Sequence, residues 1–202
     1  DGPLASGKGT IARALAARFG LPHLDTGTLY RAVAVAVLDA GGDPHDAAAA
    51  EAAARTLDMS RVDEAAIRTA GAGAAASIVS AHEGVRAALK ALQQDFARQP
   101  GGAVLDGRDI GTVIAPEADV KLFVTASPQV RASRRWNELV GRGDAITLEQ
   151  VMSQLLERDG RDAGRAFAPL TKADDAIELD TSDLDESEAI AAAIVIVEAS
   201  TS

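Results

Sequence analysis

The sequence predicts an α/β fold in which a parallel sheet is flanked on both faces by helices. Short apolar segments alternate with longer stretches of helical periodicity, an order typical of parallel strands joined by helices. A glycine-rich loop also runs directly into the first helix. The 202 residues contain no internal repeat and no linker long enough to separate independent parts, so we expect one domain over residues 1–202.

Apolar spacing and end signals define the elements of the N-terminal half. The first helix carries an apolar residue at every fourth position, before Gly20 ends it: Ile11, Leu15 and Phe19. The segment "LPHLDTG" predicts a short strand, and a helix is expected over residues 29–40 after it. The next helix is expected to begin with Asp43 as its N-cap and Pro44 in its first turn. A further helix places four apolar side chains on one stripe: Val85, Leu89, Leu92 and Phe96.

The C-terminal half continues the alternation of strand and helix. The segment "GGAVLDGRDIG" predicts a buried strand that ends in a charged turn. A second strand in "ADVKLFVTAS" leads to a helix with Ser127 as cap and Pro128 in the first turn. The helix in "TLEQVMSQLLERDGRD" begins with a capping box formed by Thr147 and Gln150. The remaining segment predicts a last strand and a last helix.

Composition excludes several classes of function. The formal net charge of −10 argues against a protein that coats nucleic acid or an anionic membrane, so we expect neither as a partner. The absence of cysteine excludes disulfides, thiolate metal sites and thiol nucleophiles, and is compatible with a reducing cytoplasm, where we expect the protein to act. No apolar run approaches the roughly 20 residues of a membrane span, and no signal peptide is visible. The first residue is Asp, so we expect the native protein to start further upstream.

The loop "GPLASGKGT" fits the pattern G-x-x-x-x-G-K over residues 2–8. Successive backbone N–H groups of such a loop wrap a phosphate, the following helix directs its positive end at it, and Lys8 reaches the β- and γ-oxygens. The sequence therefore predicts a P-loop that binds ATP. Its members are Gly2, Pro3, Leu4, Ala5, Ser6, Gly7, Lys8, Gly9 and Thr10.

Gly9 stands where many such loops have the Ser or Thr that binds Mg²⁺ directly. The metal is therefore expected to keep more of its waters or to be held from elsewhere in the chain. This departure points away from GTPases.

Polar residues follow two of the predicted strands, at the edge of the sheet where ligands of open α/β folds bind. Asp25, Thr26 and Arg31 follow the first of these strands, and Asp106, Arg108 and Asp109 follow the second. Asp106 could orient hydrated Mg²⁺ and Arg108 could hold an acceptor phosphate. Each pair taken singly is also explained by an N-cap or a surface turn, and only their combination with the loop favours a functional cleft.

Arginines form a local cluster in one segment of the chain. Seven fall between residues 131 and 165, at positions 131, 134, 135, 142, 158, 161 and 165. Because the guanidinium fork suits phosphate, this cluster could mark an anion site. The alternative, solvated helix faces paired with Glu and Asp, stays open at this point.

Several segments together resemble the bacterial cytidylate (CMP) kinases of the nucleoside-monophosphate kinase family. These segments are "DGP..SGKGT", "LDTGTLYR", "AAS" followed nine positions later by the Arg of "GVR", "DGRDIGT" and "ERDGRDAGRA.APL". The resemblance implies an adenylate-kinase-like fold with a five-stranded parallel sheet whose first strand is central. It also implies a short helical insert that binds the monophosphate, about residues 41–95, and a lid, about residues 142–168.

The same resemblance implies a role for each matching residue. The loop would bind the phosphates of ATP, with Lys8 bridging donor and acceptor and Mg²⁺ accompanying the nucleotide. The acceptor phosphate and ribose would contact Asp25, Thr26, Arg31 and Arg108, and the cytosine edge would contact Ser77, Arg86 and Asp109. The lid would supply Arg158 and Asp162 to the ribose and Arg161 and Arg165 to the phosphates. Arg134 would be a further catalytic contact on the donor side.

The sequence departs from the family pattern at several places. The loop has "PLAS" where "PSGS" is the common form, so Ala5 must adopt a conformation that tolerates its Cβ. Thr26 stands where Ser is common. Residues 57–76 leave no room for the small extra sheet of some members, so we expect a mostly helical insert. The strand that the family has ahead of the loop is missing before Asp1.

These features predict a monomeric enzyme that moves the γ-phosphate of ATP to CMP or dCMP. One alternative is a kinase of the same fold that acts on UMP, AMP or a small metabolite. Another is a non-catalytic nucleotide-binding module, suggested by the altered loop. A nucleic-acid role is disfavoured by the acidic residues interleaved at 157–162.

Overall fold

The structure is a computed structural model that describes residues 1–201. They form two compact units. The first unit combines Asp1–Leu24 with the chain from Gln99 onward, and the second unit is Asp25–Arg98.

The first unit contains the strands and the helices that pack on them. Its helices are α1 (Lys8–Phe19), α7 (Pro128–Gly141), α8 (Leu148–Ala163) and α9 (Glu186–Ser200). Its strands are β2 (Val104–Asp106), β3 (Leu122–Thr125) and β4 (Ile177–Asp180), while β1 (His23–Asp25) leads into the second unit. A single π-helical turn, Ile110–Ile114, follows β2.

The second unit is helical throughout its assigned elements. It contains α2 (Thr26–Asp39), α3 (Ala47–Arg55), α4 (Glu64–Ile67), α5 (Ala70–Val79) and α6 (Glu83–Ala97), with a 3₁₀ turn at Met59–Arg61. Residues 57–76 therefore form helical elements, as the sequence predicts. The "AGAGAAAS" segment lies in α5 and buries Ala72, Ala75 and Ala76.

The expected α/β class is confirmed, but the five-stranded sheet is not what the described residues form. They form two two-stranded sheets, β1 with β2 and β3 with β4. The β3–β4 pair is parallel, with Leu122 opposite Ile177 and Thr125 opposite Asp180. On β3, the Asp1 backbone nitrogen donates to Leu122 O at 2.8 Å and Val124 N donates to Asp1 O at 2.8 Å. These two bonds pair a single residue with β3 and do not form a further strand.

Three predicted helix ends are confirmed, and each depends on residues close to that end of the helix. Ser127 caps α7 with Pro128 in its first turn, and Thr147 and Gln150 form the capping box of α8. Gly20 ends α1 in the left-handed conformation, with φ of 65°.

Three local predictions are wrong. The second helix begins at Thr26, not at Leu29, because the Asp25 carboxylate accepts from Gly27 N and starts it earlier. The N-cap of α3 is Asp46, whereas Asp43 accepts from His45 N in a preceding turn. In α6 the buried stripe ends in Gln93, and Leu92 is 41% exposed.

Each unit has apolar clusters of its own, one in the second unit and two in the first. In the second unit, α2, α3, α5 and α6 bury one cluster that includes Leu29, Val33, Val79 and Leu89. In the first unit, Ile11 and Leu15 of α1 pack with Val124 and Leu179 of the strands and with α9. The third cluster joins α7 to α8 through residues that include Leu139 and Leu155. No helix within residues 1–201 is both long and apolar enough to cross a bilayer.

Candidate functional site

The glycine-rich loop adopts a compact conformation that depends on unusual backbone angles. Gly2, Ala5 and Gly7 have φ of 153°, 59° and 89°, all outside the range that most side chains favour. A Cβ on Gly2 would lie 2.0 Å from Val124 O, so only glycine permits this approach of the loop to β3. The Lys8 ammonium folds back over the loop and donates to Pro3 O at 3.2 Å.

The loop fits a phosphate ligand on two grounds. It leads directly into α1, whose first N–H groups are left for an anion by the geometry of a helix N-terminus. The Ser6 hydroxyl is fully buried, and it has no hydrogen-bond partner within the described part of the chain. A buried hydroxyl of this kind is explained when a ligand supplies the partner.

Two arginines of α7 fasten the loop to the rest of the first unit. Arg131 donates to Leu4 O at 3.2 Å and to Ala126 O at 2.9 Å, and it forms a bidentate pair with Asp159 of α8. Arg134 donates to the Thr181 hydroxyl at 2.9 Å and to Thr181 O at 2.7 Å. Its guanidinium lies 3.9 Å from the position that a Cβ of Gly7 would take, which places it at the loop.

Asp106 ends β2 in a buried position, 5% exposed, and is paired with His23 of β1. His23 Nε2 lies 2.8 Å from Asp106 Oδ2. Burial raises the pKa of the Asp106 carboxyl, but the hydrogen bond to His23 and the charge of Lys8 outweigh burial and hold the pKa below its ordinary value. Its other oxygen lies 3.9 Å from the Cβ position of Gly9, so the carboxylate is at the start of α1.

A buried carboxylate gathers three of the predicted arginines. Asp162 of α8 has no exposed surface; it accepts from Arg108 Nε at 2.9 Å and from Arg165, and it lies 3.9 Å from Arg158 Nε. Burial raises the pKa of Asp162, but the charges of Arg108, Arg165 and Arg158 outweigh burial, so the pKa of this carboxyl lies below its ordinary value and the group is ionised. The result is a cationic group of three guanidinium ions around one anion.

The other three arginines of the 131–165 cluster pair with nearby glutamates, and Arg135 is largely covered, with 12% of its side chain exposed. Arg161 pairs with Glu157, one turn earlier on α8. Arg135 and Arg142 both pair with Glu138. Pairing with Glu or Asp, which one of the two explanations expected, is thus found for six of the seven arginines, and the anion site stays a prediction.

Asp109 is buried, 4% exposed, and begins the π-helical turn. Val113 N donates to its carbonyl at 2.9 Å, which closes the turn directly after the "DGRD" segment. Both Arg108 and Asp109 are thus held at the end of β2, as expected.

The second unit brings together its own predicted residues. The Arg31 side chain donates to Ile67 O at 3.0 Å and lies 3.5 Å from the Cβ position of Gly73 on α5. Ser77 is one turn further along α5 and fully buried, on the same face as Gly73. Arg31 and Ser77 therefore lie along one side of this helix.

Arg86 of α6 is held by two contacts. Its guanidinium donates to Ser80 O at 3.2 Å and lies 5.6 Å from the centroid of the Tyr30 ring. Thr26 is buried, 3% exposed, at the first turn of α2. Asp25 is exposed and caps that helix, which is the structural role that the sequence left open for it.

Sequence reasoning missed three residues that hold the predicted ones: His23, Tyr30 and Thr181. It named Arg131 as a member of the arginine cluster, but not its role in holding the loop. A histidine inside an apolar strand is a signal that could have found His23, whereas Tyr30 and Thr181 could not be found locally, because their partners are distant in sequence.

The described residues offer few side chains that could bind a metal ion. Within residues 1–201, no group of three or more His, Cys, Asp or Glu side chains is arranged to hold one. Asp106 alone, with His23 fixing it, fits a hydrated Mg²⁺ whose remaining ligands are waters and nucleotide phosphates.

Comparison with known proteins identifies close relatives. The family model described as cytidylate kinase matches residues 1–199. A cytidylate kinase of Xanthobacter autotrophicus is 63% identical over 199 residues, which cover 98% of this chain and 95% of that protein. One from a Caulobacter species is 58% identical over 198 residues, covering 98% of this chain and 92% of that protein. One from a Methylobacterium species is 62% identical over 176 residues, covering 87% and 84%.

Proposed function

The chain belongs to the cytidylate kinase family, and from that membership we propose that it transfers the γ-phosphate of ATP to CMP or dCMP, giving CDP or dCDP. One observation of the structure carries the proposal: three arginines surround the buried carboxylate of Asp162, in the unit that contains the ATP loop. Phosphoryl transfer needs positioning and neutralisation of charge more than covalent catalysis, and guanidinium groups supply both.

The proposed donor site is the loop of residues 2–10. Its backbone N–H groups and Lys8 would bind the phosphates of ATP, and Arg134 would contact them beside Gly7. Support comes from the buried hydroxyl of Ser6 and from the anchoring of Leu4 and Ser6 by distant side chains. Mg²⁺, when bound, would neutralise phosphate charge, with Asp106 positioned by His23 to hold its waters.

The proposed acceptor contacts are divided by the part of CMP that they would bind. Arg31 and Arg108 would hold its phosphate, and Asp25 and Thr26 would lie near phosphate and ribose. Ser77, Arg86 and Asp109 would contact the cytosine edge. A carboxylate and a hydroxyl accept from the amino group of cytosine, while Arg86 donates to the ring acceptors. Uracil inverts part of this pattern and would leave buried polar groups unpaired.

The remaining roles belong to α8 and the chain after it. Arg158 and Asp162 would contact the ribose, and Arg161 and Arg165 would close over the phosphates from a lid at about residues 142–168. Arg108 and Arg165, which pair with the Asp162 carboxylate, would exchange this partner for phosphate oxygens when nucleotide binds. Exclusion of water by the lid would favour transfer to CMP over hydrolysis of ATP.

Finer features of the architecture are proposals too. We propose that residues 41–95 act as the insert that binds the monophosphate, within a single kinase domain over residues 1–202. A five-stranded, adenylate-kinase-like sheet is supported by the parallel β3–β4 pair and by the backbone pairing of Asp1 with β3. A monomeric state and a cytoplasmic location stay predictions from the sequence, to be measured by light scattering and by cell fractionation.

An acceptor panel tests the function. The full chain is incubated with ATP, Mg²⁺ and either CMP, dCMP, UMP or AMP, and ADP is followed by a coupled assay. We expect turnover of CMP and dCMP to exceed that of UMP and AMP by at least about 100-fold, the discrimination available to a site with buried polar groups. Equal rates for all four would refute the cytosine assignment and favour a kinase with another acceptor.

A substitution in the loop separates catalysis from simple binding. Lys8→Met should reduce kcat by about 100-fold or more, since it removes a charge placed at the transferred group. Lys172→Met is the matched control, because Lys172 forms only an exposed pair with Glu178 in the same unit. Binding of CMP without ADP formation, with Lys8→Met indistinguishable from the parent, would instead identify a non-catalytic module.

A further inference from the structure

Thr181, directly after β4, is one of the most completely buried polar residues of the first unit, with 1% of its surface exposed. Its backbone N–H donates to Thr125 O at 2.9 Å, which continues the pairing of β4 with β3. Its hydroxyl oxygen lies 3.0 Å from Ser6 O, 3.1 Å from Thr125 O and 2.9 Å from Arg134 Nη1. One hydroxyl therefore meets the ATP loop, the end of a strand and a helix.

The donor and acceptor roles within this group follow from chemistry. A guanidinium only donates, so the Thr181 oxygen accepts from Arg134. The hydroxyl has one hydrogen to give and two carbonyls to choose from. Thr125 O already accepts a hydrogen bond from the backbone N–H of Thr181, so it needs the hydroxyl hydrogen less than Ser6 O does. We therefore assign the hydroxyl hydrogen to Ser6 O.

This bond controls the direction of a neighbouring loop amide. The peptide group between Ser6 and Gly7 is planar and trans, so its C=O and its N–H point in opposite directions. A hydroxyl that holds the Ser6 carbonyl on the side of the strands turns the Gly7 N–H to the other side. Gly7 has φ of 89° and imposes little torsional preference of its own, so the orientation depends on such an external contact.

Thr181 also fixes Arg134. Besides the hydroxyl, its carbonyl accepts from Arg134 Nη2 at 2.7 Å, and Leu184 O accepts from the same nitrogen at 3.3 Å. The guanidinium is thereby held 3.9 Å from the Cβ position of Gly7. Thr181 thus contacts both the carbonyl that precedes the Gly7 amide and the cation beside it.

We propose that Thr181 is a positioning residue for the phosphates of ATP, which aims the Gly7 N–H and holds Arg134 beside it. The inference rests on the proposed use of the loop as the donor site. Thr181 itself touches no reacting atom in this scheme. If its role were only to join β4 to β3, its loss would lower stability without distinguishing ATP from CMP.

The test uses two variants of the full chain. Thr181→Val keeps the shape of the side chain and removes the hydroxyl, and Thr181→Ser keeps the hydroxyl. Thr201→Val is the control, since the Thr201 hydroxyl donates to Val197 O at the exposed end of α9 in the first unit. For each protein, KM is measured separately for ATP and for CMP. The Kd of a non-hydrolysable ATP analogue is measured by titration calorimetry.

We expect Thr181→Val to raise both KM for ATP and the Kd of the analogue about tenfold, the usual effect of losing a hydrogen bond that orients a charged contact. KM for CMP should change less than twofold, and Thr181→Ser should stay within about threefold of the parent for ATP. Unchanged analogue binding in Thr181→Val would overturn the proposal. So would equal increases of KM for both substrates.

Failure to fold would also be informative. Thr181→Ala serves as a second variant without the hydroxyl. If neither it nor Thr181→Val folds while Thr181→Ser does, the hydroxyl is needed for folding and the positioning role is refuted. If the parent binds the ATP analogue but does not turn over CMP, the proposed function fails, while the comparison of analogue binding still tests Thr181.

Discussion

Ala5 allows a sharp test of the loop conformation. Its φ of 59° lies in the left-handed region, where a residue with a Cβ is strained by about 1–2 kcal/mol. Replacement by glycine removes this strain. It also gives the unfolded chain more freedom, which costs about 0.4–1 kcal/mol. The difference favours Ala5→Gly by about 1 kcal/mol of unfolding free energy.

The same substitution in a helix supplies a control of opposite sign. Ala17 is exposed in α1, the helix that follows the loop, and its replacement by glycine should cost about 1 kcal/mol. The two variants have the same composition, yet their unfolding equilibrium constants should differ by roughly 30-fold. Ala5→Gly should raise Tm by about 2–4 °C, and Ala17→Gly should lower it by a similar amount.

The measurement is urea-induced unfolding of parent, Ala5→Gly and Ala17→Gly under identical conditions, followed by circular dichroism. A change in midpoint at constant slope reports stability alone. If Ala5→Gly lowers the midpoint as much as Ala17→Gly does, Ala5 is not in a strained conformation and the argument is refuted.

Three further predictions concern the first unit. Asp162→Asn should make the unfolding free energy depend less on pH in the acid range. Because the folded-state pKa of Asp162 is depressed, its ionised form stabilises the protein above about pH 4, and this stabilisation is lost as pH falls. In urea unfolding from about pH 5 to 3, the parent should therefore lose stability faster than the variant. Equal slopes would contradict this. Asp159→Asn should lower the unfolding free energy by about 3 kcal/mol, because it leaves the buried guanidinium of Arg131 without its counter-charge. The control is Glu157→Gln, in an exposed pair of the same helix, which should change the unfolding free energy by less than about 1 kcal/mol. Equal losses in calorimetry would count against the distinction. Gly2→Ala should abolish binding of an ATP analogue and lower Tm, since its Cβ would lie 2.0 Å from Val124 O; a variant with the parent's Tm and Kd would show that the loop can move away from β3.

Local chemistry explains which parts of the fold were predictable. The capping box of Thr147 and Gln150 and the Ser127–Pro128 start were correct because each depends on side chains within one turn. Asp43 and Asp46 both suit an N-cap, and the choice between them depends on how the chain enters α3. No local pattern decides it.

Tertiary contacts explain the rest. In α6 the sequence favoured Leu92 as a core residue, but the neighbouring helices cover Gln93, whose amide is satisfied by Leu89 O. The five-stranded sheet was expected from the resemblance, and the described strands pair only as β1–β2 and β3–β4. Strand pairing is set by residues far apart in sequence.

In the candidate site too, some residues were predicted from local motifs and others are identified only by tertiary contacts. Arg108 and Asp162 were predicted from motifs, and the structure joins them across 54 residues of sequence. His23 and Asp106 are 83 residues apart, and neither shows from its own neighbours that it meets the other. Motifs therefore predict which groups carry the chemistry, whereas the residues that contact those groups are found only in the folded chain.

The division of the first unit into two stretches of chain has a consequence for how the protein is made. The glycine-rich loop leaves the ribosome before Thr181, which anchors Ser6 from 175 positions further along the chain. At 5–20 residues per second, the glycine-rich loop waits about 10–35 s for this anchor. The second unit lies in one uninterrupted stretch, so all of its contacts become available in the meantime. The glycine-rich loop is therefore synthesised well before the residue that anchors it, and its anchored conformation becomes available only after the whole second unit has been made.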